Sequence, residues 1–434
     1  MRASSYNYQV KEKDTTIFFN GITEAGFKVS NKNAEAFSAI INNPDEQDKE
    51  FQPFIERMHR QGFVIDNETD EKDIIKRKYE NLRRPGDCSI MILPTYQCNV
   101  RCWYCVQNHQ NLWMSDETIE KIKTRIAYLL NKPDINRLSL SWFGGEPILA
   151  YDRVLEVTQW ASSLAISKAK SFSANITTNG TLLTAKRIAE LKEAGVNHYQ
   201  ITIDGDRTTH NSIKVLGNAS AYDKTIENIG HIIKHSTCTL RFNYTKDNLK
   251  PESIIKDLDN TLPQSGRNNI SFLVYKVWQE NADEIPQEEV EKLLNLACKI
   301  GILPRLATGG MCYADQKYYD CIFTNGKVGK CDNQPPDSVI GEIDVAGNVV
   351  WDGDVSSHKA ILETDAPECA ECRYLPFCWG PCTARRENMI REKGVVGCQF
   401  ADKEKEIVPF IHNAFLNYEY AVKINHNLSI HKHE

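Results

Sequence analysis

The chain has 434 residues, of which 41% are hydrophobic and 25% charged, and a formal net charge of −6. That length suits one large domain with appendages or two to three domains, and residues 1–87 hold 14 Lys and Arg against 16 Asp and Glu, which excludes a basic arm for nucleic acid. The N-terminal MRASSYNYQVKEKDTT lacks the apolar core of a signal peptide, and no run approaches the ~18 apolar residues of a membrane span, so a cytoplasmic protein without nucleic-acid or membrane partners is expected.

Residues 1–85 read as a small separate unit. Apolar stretches at 6–10 and 17–19 flank the polar Lys11 to Asp14 and predict a hairpin. Helices are predicted from Asn33 to Ile41, halted by Pro44, and over 51–61, ended by Gly62; a short strand at 63–65 and a charged helix over 70–83 follow.

Over residues 86–300 a regular alternation sets in. Strands are predicted at 90–93, 138–143, 173–177, 199–203, 240–244 and 270–277, with helices at 115–130, 152–167, 185–193, 223–234, 252–260 and 287–300. Six strand–helix units argue for a parallel sheet that right-handed crossovers curl toward a barrel, with function at the C-terminal strand ends. From 301 to 400 the alternation stops, and Gly-, Asp- and Cys-rich segments predict an irregular, ligand-stapled region. Residues 401–434 read as a closing helix over 402–416 and a frayed tail, NHNLSIHKHE.

Fourteen cysteines in a chain of this kind are not read as disulfides, because the cytosol keeps thiols reduced. Cys88, Cys238 and Cys298 stand alone and read as small buried hydrophobes. The other eleven fall into a group at 98, 102 and 105 and a group at 312, 321, 331, 369, 372, 378, 382 and 398, which reads as metal ligation.

The first group is CNVRCWYC, placed just after the first barrel strand. Four cysteines would saturate a zinc ion or a cluster, whereas three thiolates on a cubane leave one iron open. The spacing Cys98-x3-Cys102-x2-Cys105, with Tyr104 before the last Cys, resembles the signature of the radical SAM superfamily. The resemblance implies a [4Fe–4S] cluster whose open iron chelates S-adenosylmethionine, and reductive cleavage to a 5′-deoxyadenosyl radical that abstracts hydrogen from substrate. Trp142-Phe143-Gly144-Gly145-Glu146-Pro147 after the second strand resembles the family's GGEP motif, in which Gly144 and Gly145 let backbone approach the ligand and Glu146 holds the methionyl amino group. Thr178-Asn179-Gly180 and Thr202-Ile203-Asp204 are similar to segments bordering the cofactor. Thr202 then falls at the ribose and Lys214 at the cofactor carboxylate, where relatives more often carry Ser and Arg; His210 reads as structural.

Cys369-x2-Cys372-x5-Cys378-x3-Cys382 with Cys398, and Cys312 with Gly326-x4-Cys331, resemble the SPASM domain, which holds two auxiliary [4Fe–4S] clusters. Following relatives with full ligation, Cys312, Cys321, Cys331 and Cys382 would hold the first cluster, and Cys369, Cys372, Cys378 and Cys398 the second. Asp332 matches the place of a substrate base in sulfatase-maturing relatives, and Tyr313, Tyr318 and Tyr319 read as packing residues. The element order of residues 1–85 resembles the winged-helix-like recognition domain of ribosomal-peptide (RiPP) maturases.

The resulting expectation is an α/β chain: a partial (β/α)6 TIM-like barrel with an N-terminal winged-helix-like accessory domain and a C-terminal irregular Fe–S cluster-binding domain. The function implied is a radical SAM/SPASM enzyme that crosslinks a precursor peptide carrying a leader, supplied with electrons by flavodoxin or ferredoxin. A sulfatase-maturing enzyme forming formylglycine is the second reading, although such enzymes begin close to their first Cys loop. A non-catalytic zinc-ribbon protein is the third.

Overall fold

A computed structural model describes every residue except 108, 278, 280–286, 335–337, 360, 365 and 431–434. The chain divides into two compact units, one of Met1–Arg84, Thr308–Gln316 and Ser356–Tyr418, the other of Pro85–Ala307, Lys317–Val355 and Glu419–Glu434. These units cut across the expected spans, and the stretch 301–400 is shared between them.

In the first unit a two-stranded sheet pairs β1 (Arg2–Ala3) with β5 (Val64–Ile65), and a three-stranded antiparallel sheet runs β2 (Asn7–Lys11), β3 (Thr15–Asn20) and β4 (Gly26–Ser30). The predicted hairpin is β2–β3; the third strand was not anticipated. The three predicted helices lie at Asn31–Asn42, Gln52–Arg60 and Glu71–Leu82, the last capped by the Asp70 carboxylate, which accepts from the Lys72 and Asp73 amides.

Residues 1–85 are not a separate unit, and β3 explains why. Phe18 on one face packs with Ile41, Met58, Phe63 and Val64 from the neighbouring elements. Ile17 and Phe19 on the other face join Tyr8 and Val10 of β2 in a second apolar layer, covered by Tyr374, Phe377, Ile407, Ile411 and Phe415. A central strand apolar on both faces needs cover on both, and residues from the C-terminal part supply the second. The closing helix runs Lys403–Ile430, longer than predicted, and passes through Pro409. The expected frayed tail is therefore helical as far as Ile430, and its last four residues lie outside the described ones.

The second unit holds an eleven-stranded sheet. All six predicted strands are present as β6 (Asp87–Ile92), β7 (Arg137–Trp142), β8 (Ser171–Thr178), β9 (Val196–Ile203), β10 (Thr237–Tyr244) and β11 (Ile270–Lys276), paired in parallel in that order. The six predicted helices follow at Asp116–Leu130, Tyr151–Ser167, Ala185–Glu193, Ala221–Ile232, Pro251–Thr261 and Gln287–Lys299.

The alternation does not stop at residue 301. Strand β12 (Leu303–Leu306) continues the sheet beside β11, and β13 (Tyr318–Ile322) pairs in parallel with β6 at the opposite edge. An antiparallel extension of β14 (Lys327–Gly329), β15 (Gly341–Ile343) and β16 (Val349–Trp351) completes it. These strands are short, and β13 finds its partner in β6, distant in sequence.

The six central strands alternate, which is unusual for parallel strands covered by helices. Ile90, Leu140, Ile176, Ile201, Leu240 and Phe272 are buried to within 1%. Their neighbours Ser89, Ser141, Asn175, Gln200, Thr202 and Arg241 lie half-buried on the opposite, polar face. Among the described residues no helix is long and apolar enough to cross a membrane.

Candidate functional site

The loop between β6 and the helix Asp116–Leu130 carries CNVRCWYC. Its base is pinned: Met114 N–H donates to Pro94 O (3.0 Å), Thr95 Oγ1 to Leu112 O (2.8 Å), and Gln97 N–H to Thr95 Oγ1 (3.0 Å). Within it the Cys105 amide donates to Cys102 O (3.1 Å), a turn that sets these two thiols on one short arc. Cys98 and Cys102 are half-buried and Cys105 exposed. Burial pushes the Cys98 thiol up to about 11, opposed by a hydrogen bond from the Val100 backbone and helped by the charges of Glu146 and the other two thiols. His109, not singled out from sequence, has Nε2 at 3.2 Å from Cys105 Sγ. Among the described residues no three Cys, His, Asp or Glu side chains converge on a point where a single metal ion would sit. A cubane, whose irons are spread over its corners, suits the loop's three thiolate donors.

The GGEP turn packs on this loop. Gly145 N–H donates to Thr95 O (3.0 Å) and Glu146 N–H to Gln97 O (2.8 Å). A Cβ on Gly145 would overlap the carbonyl oxygens of Tyr96 and Gln97, and one on Gly144, at φ +114°, would lie 2.5 Å from Thr95 O. The glycines thus allow two protein loops to approach closely.

Glu146 is fully buried. Its Oε1 accepts from Ile148 N (3.0 Å) and Thr178 Oγ1 (2.7 Å), and Oε2 accepts from Asn179 N (2.8 Å). Burial raises its carboxyl above the ordinary value, opposed by these three hydrogen bonds. Three donors leave one of about four carboxylate lone-pair positions open, on Oε2. Asn179 extends the network: its Nδ2 donates to Asn99 Oδ1 (2.8 Å) and faces Cys98 Sγ at 3.8 Å, while its Oδ1 accepts from Thr181 N (3.0 Å) and Oγ1 (2.7 Å). The Cys loop, the GGEP turn and the loop after β8 are one hydrogen-bonded assembly.

A second assembly centres on Asp204, wholly buried at the end of β9. Its Oδ1 accepts from the Tyr104 hydroxyl and its Oδ2 from Lys214 Nζ, both in short contacts. Lys214 is itself buried and forms an ion pair with Asp204. His210 is buried: Nδ1 accepts from the Asp204 amide (3.3 Å), and burial, then the Lys214 charge, holds its imidazole down at about 3. Thr202 is half-buried on the polar face of β9, in register with Arg241 of β10.

Of the auxiliary thiols, Cys369, Cys372, Cys378 and Cys398 line one cavity together with Gln399 and Ile407. The Cys372 amide donates to Cys369 O (3.1 Å), and the left-handed Trp379 (φ +56°) and Gly380 (φ +76°) turn the chain after Cys378. Cys312 and Cys382 belong to this same unit, whereas Cys321 and Cys331 belong to the sheet unit. Cys321 is fully buried at the register position of Met91, and burial, then the charges of Asp332 and Cys331, raises its thiol well above the ordinary value. Asp332 also acts through space on Arg241.

Sequence reasoning missed Arg241 and Asn243, which touch the Tyr104 assembly: Arg241 Nε donates to Asn243 Oδ1 (2.9 Å) and Asn243 Nδ2 to the Tyr104 hydroxyl (3.3 Å). The signal was present in β10 as TLRFNY, where polar residues alternate with buried Leu240 and Phe242.

The parallel strands and their helices make an α/β unit with a three-thiol loop at the end of β6. Residues 92–258 match the model of the Radical SAM superfamily, which makes this part of the chain a radical SAM domain. The chain is 28% identical over 149 residues to GTP 3′,8-cyclase 1 of Mycobacterium tuberculosis, covering 34% of this chain and 39% of that protein. It is 27% identical over 166 residues to Fe-coproporphyrin III synthase of Methanosarcina barkeri, covering 38% of this chain and 39% of that protein. The match thus spans about two fifths of the length of these curated relatives. The solved structure of anSMEcpe with bound AdoMet superposes with a TM-score of 0.53 at 17% identity, covering 79% of this chain and 99% of that one, which shows a shared fold.

Proposed function

We propose that this protein is a radical S-adenosylmethionine enzyme of the SPASM type that abstracts hydrogen from a peptide, most simply a ribosomal precursor peptide in which it forms a thioether, C–C or C–O crosslink. The observation that carries the reading is the bonding of the Cys98 loop to Glu146 and Asn179. Cys98 of the three-thiol loop faces this network, and on the proposed reading an ammonium group would take the fourth acceptor position of the Glu146 carboxylate.

Cys98, Cys102 and Cys105 would hold a [4Fe–4S] cluster, and Tyr104, Gly144, Gly145, Glu146, Asn179, Thr202, Asp204 and Lys214 would border S-adenosylmethionine. The cluster and cofactor together supply a 5′-deoxyadenosyl radical when reduced by a flavodoxin or ferredoxin. The polar face of the sheet receives the substrate, with Ser141, Asn175 and Gln200 offering hydrogen bonds in place of water. Cys369, Cys372, Cys378 and Cys398 would hold one auxiliary cluster. Asp332, directly after Cys331, is the candidate base. A leader peptide would add to an edge of the β2–β4 sheet by strand pairing.

A peptide is favoured because anSMEcpe, whose fold this chain shares, was also solved with AdoMet and the Cp18Cys peptide. Formylglycine formation is the second reading, supported by Asp332. The test is anaerobic reconstitution with iron and sulfide. The protein should take up iron rather than zinc, and with dithionite it should convert S-adenosylmethionine to 5′-deoxyadenosine. The triple variant Cys98→Ala, Cys102→Ala, Cys105→Ala should lose that conversion and part of the iron, keeping the auxiliary share. Deoxyadenosine from the triple variant would refute the assignment.

A further inference from the structure

Arg241 is a cation that the cofactor motifs leave unused. It lies half-buried on the polar face of β10, level with Thr202 of β9 and Leu273 of β11. Its guanidinium sits over the Tyr275 ring, 4.4 Å from the centroid, and its Nε is taken by Asn243 Oδ1 at 2.9 Å. Asn243 Nδ2 in turn reaches the Tyr104 hydroxyl at 3.3 Å, so one amide separates the guanidinium from the loop of Cys102 and Cys105.

This arrangement orients the head group, on which the charge of Asp332 also acts through space. The ring fixes its plane and Asn243 fixes Nε, while among the described residues Nη1 and Nη2 have no hydrogen-bond or ion-pair partner. The buried Lys214 differs, because it pairs with Asp204 within the protein. A partly desolvated guanidinium fork with both Nη groups open matches a carboxylate in the bidentate mode. The cofactor motifs occupy the loops after β6, β7, β8 and β9; Arg241 and Tyr275 lie on the next two strands, β10 and β11.

We propose that Arg241, oriented by Tyr275 and Asn243, anchors a carboxylate of the substrate, so that the enzyme selects a peptide with an acidic side chain close to the reacting position. This rests on the radical SAM reading of the site. The test has two arms on reconstituted protein. Equilibrium dialysis of S-adenosylmethionine should give affinities for wild type and Arg241→Gln that agree within about twofold. Ligand-observed NMR titration, run with and without S-adenosylmethionine, compares N-acetylglutamate α-amide with N-acetylglutamine α-amide. Wild type should prefer the glutamate form about 10-fold or more; Arg241→Gln should lose the preference and Arg241→Lys should keep part of it.

A loss of S-adenosylmethionine affinity of about 10-fold or more in Arg241→Gln would assign the guanidinium to the cofactor and overturn the proposal. So would the absence of any glutamate preference in wild type, including failure of both probes to bind. If wild type bound no S-adenosylmethionine, the radical SAM reading would fail, while the titration without cofactor would still report on Arg241.

Discussion

The guanidinium of Arg386 closes on the carboxylate of Asp315, with Nη2 to Oδ1 at 2.5 Å and Nη1 to Oδ2 at 3.1 Å, both side chains essentially out of solvent. Thr383 Oγ1 donates to the same carboxylate (2.9 Å), and Arg386 also donates to Pro381 O (2.6 Å) and Ser357 O (2.9 Å). The Asp315 amide donates to Cys312 O (3.0 Å), and the Arg386 amide to Cys382 O (2.9 Å). The pair therefore ties the turn carrying Cys312 to the helix start carrying Cys382.

Removing one partner leaves a buried charge alone. Arg386→Met is expected to destabilise the protein by about 3–5 kcal/mol. Urea denaturation should show the midpoint fall; if Cys312 and Cys382 hold a cluster, iron analysis should show part of the iron lost as well. An unchanged midpoint would mean that the clasp carries no net stability.

Gly145→Ala tests the contact between loops. The added methyl meets the Tyr96 and Gln97 carbonyl oxygens, which are backbone and cannot rotate away. A cost of about 1–3 kcal/mol is expected, as for overpacking elsewhere. Because the strain falls on the Cys loop, S-adenosylmethionine binding should weaken more than the melting temperature suggests; dialysis alongside a thermal melt measures both.

Glu146→Gln replaces a buried acceptor of three hydrogen bonds with an amide whose NH2 faces donors. A loss of about 1–3 kcal/mol in stability is expected. Glu146→Asp keeps the charge but shortens the reach, and should restore stability only in part. Calorimetry of both variants decides whether the charge or the geometry matters.

Glu12 predicts an acid limb. Burial alone would raise its carboxyl, but hydrogen bonds from Thr15, Lys28 and His412 outweigh it and pull the value from the ordinary 4.5 to about 2. The Lys28 contact measures 3.0 Å and the His412 contact 2.8 Å. A depressed carboxylate stabilises the fold above its unfolded value, and the contribution fades as pH falls from 4.5 through about 2. Glu12→Gln should therefore lose of order 1 kcal/mol at neutral pH, and less at the acid end. Stability curves of both proteins from pH 7 to pH 2 should converge; parallel curves would contradict the linkage.

Much of the sheet unit was legible in the chain. The six central strands and their helices came from local periodicity, because each strand alternates and each helix has a cap or an amphipathic face within its own sequence. The three-thiol loop and GGEP were equally local, since their chemistry depends on spacing within eight residues or fewer. Strands β12 and β13 were invisible because a short strand is stabilised by its neighbour's edge, and β13 finds that edge on β6.

The sequence by itself determined which residues carry soft ligands, where the loops fall on the strands, and which helices cover them. Tertiary structure alone decided that Lys214 pairs with Asp204, that the glycines of GGEP lie against the backbone of the Cys loop, and that Arg241 meets Tyr275 and Asn243. The division follows from physics. Backbone propensity and ligand spacing act over a few residues, whereas the pairing of a buried charge depends on which distant side chain shares its cavity.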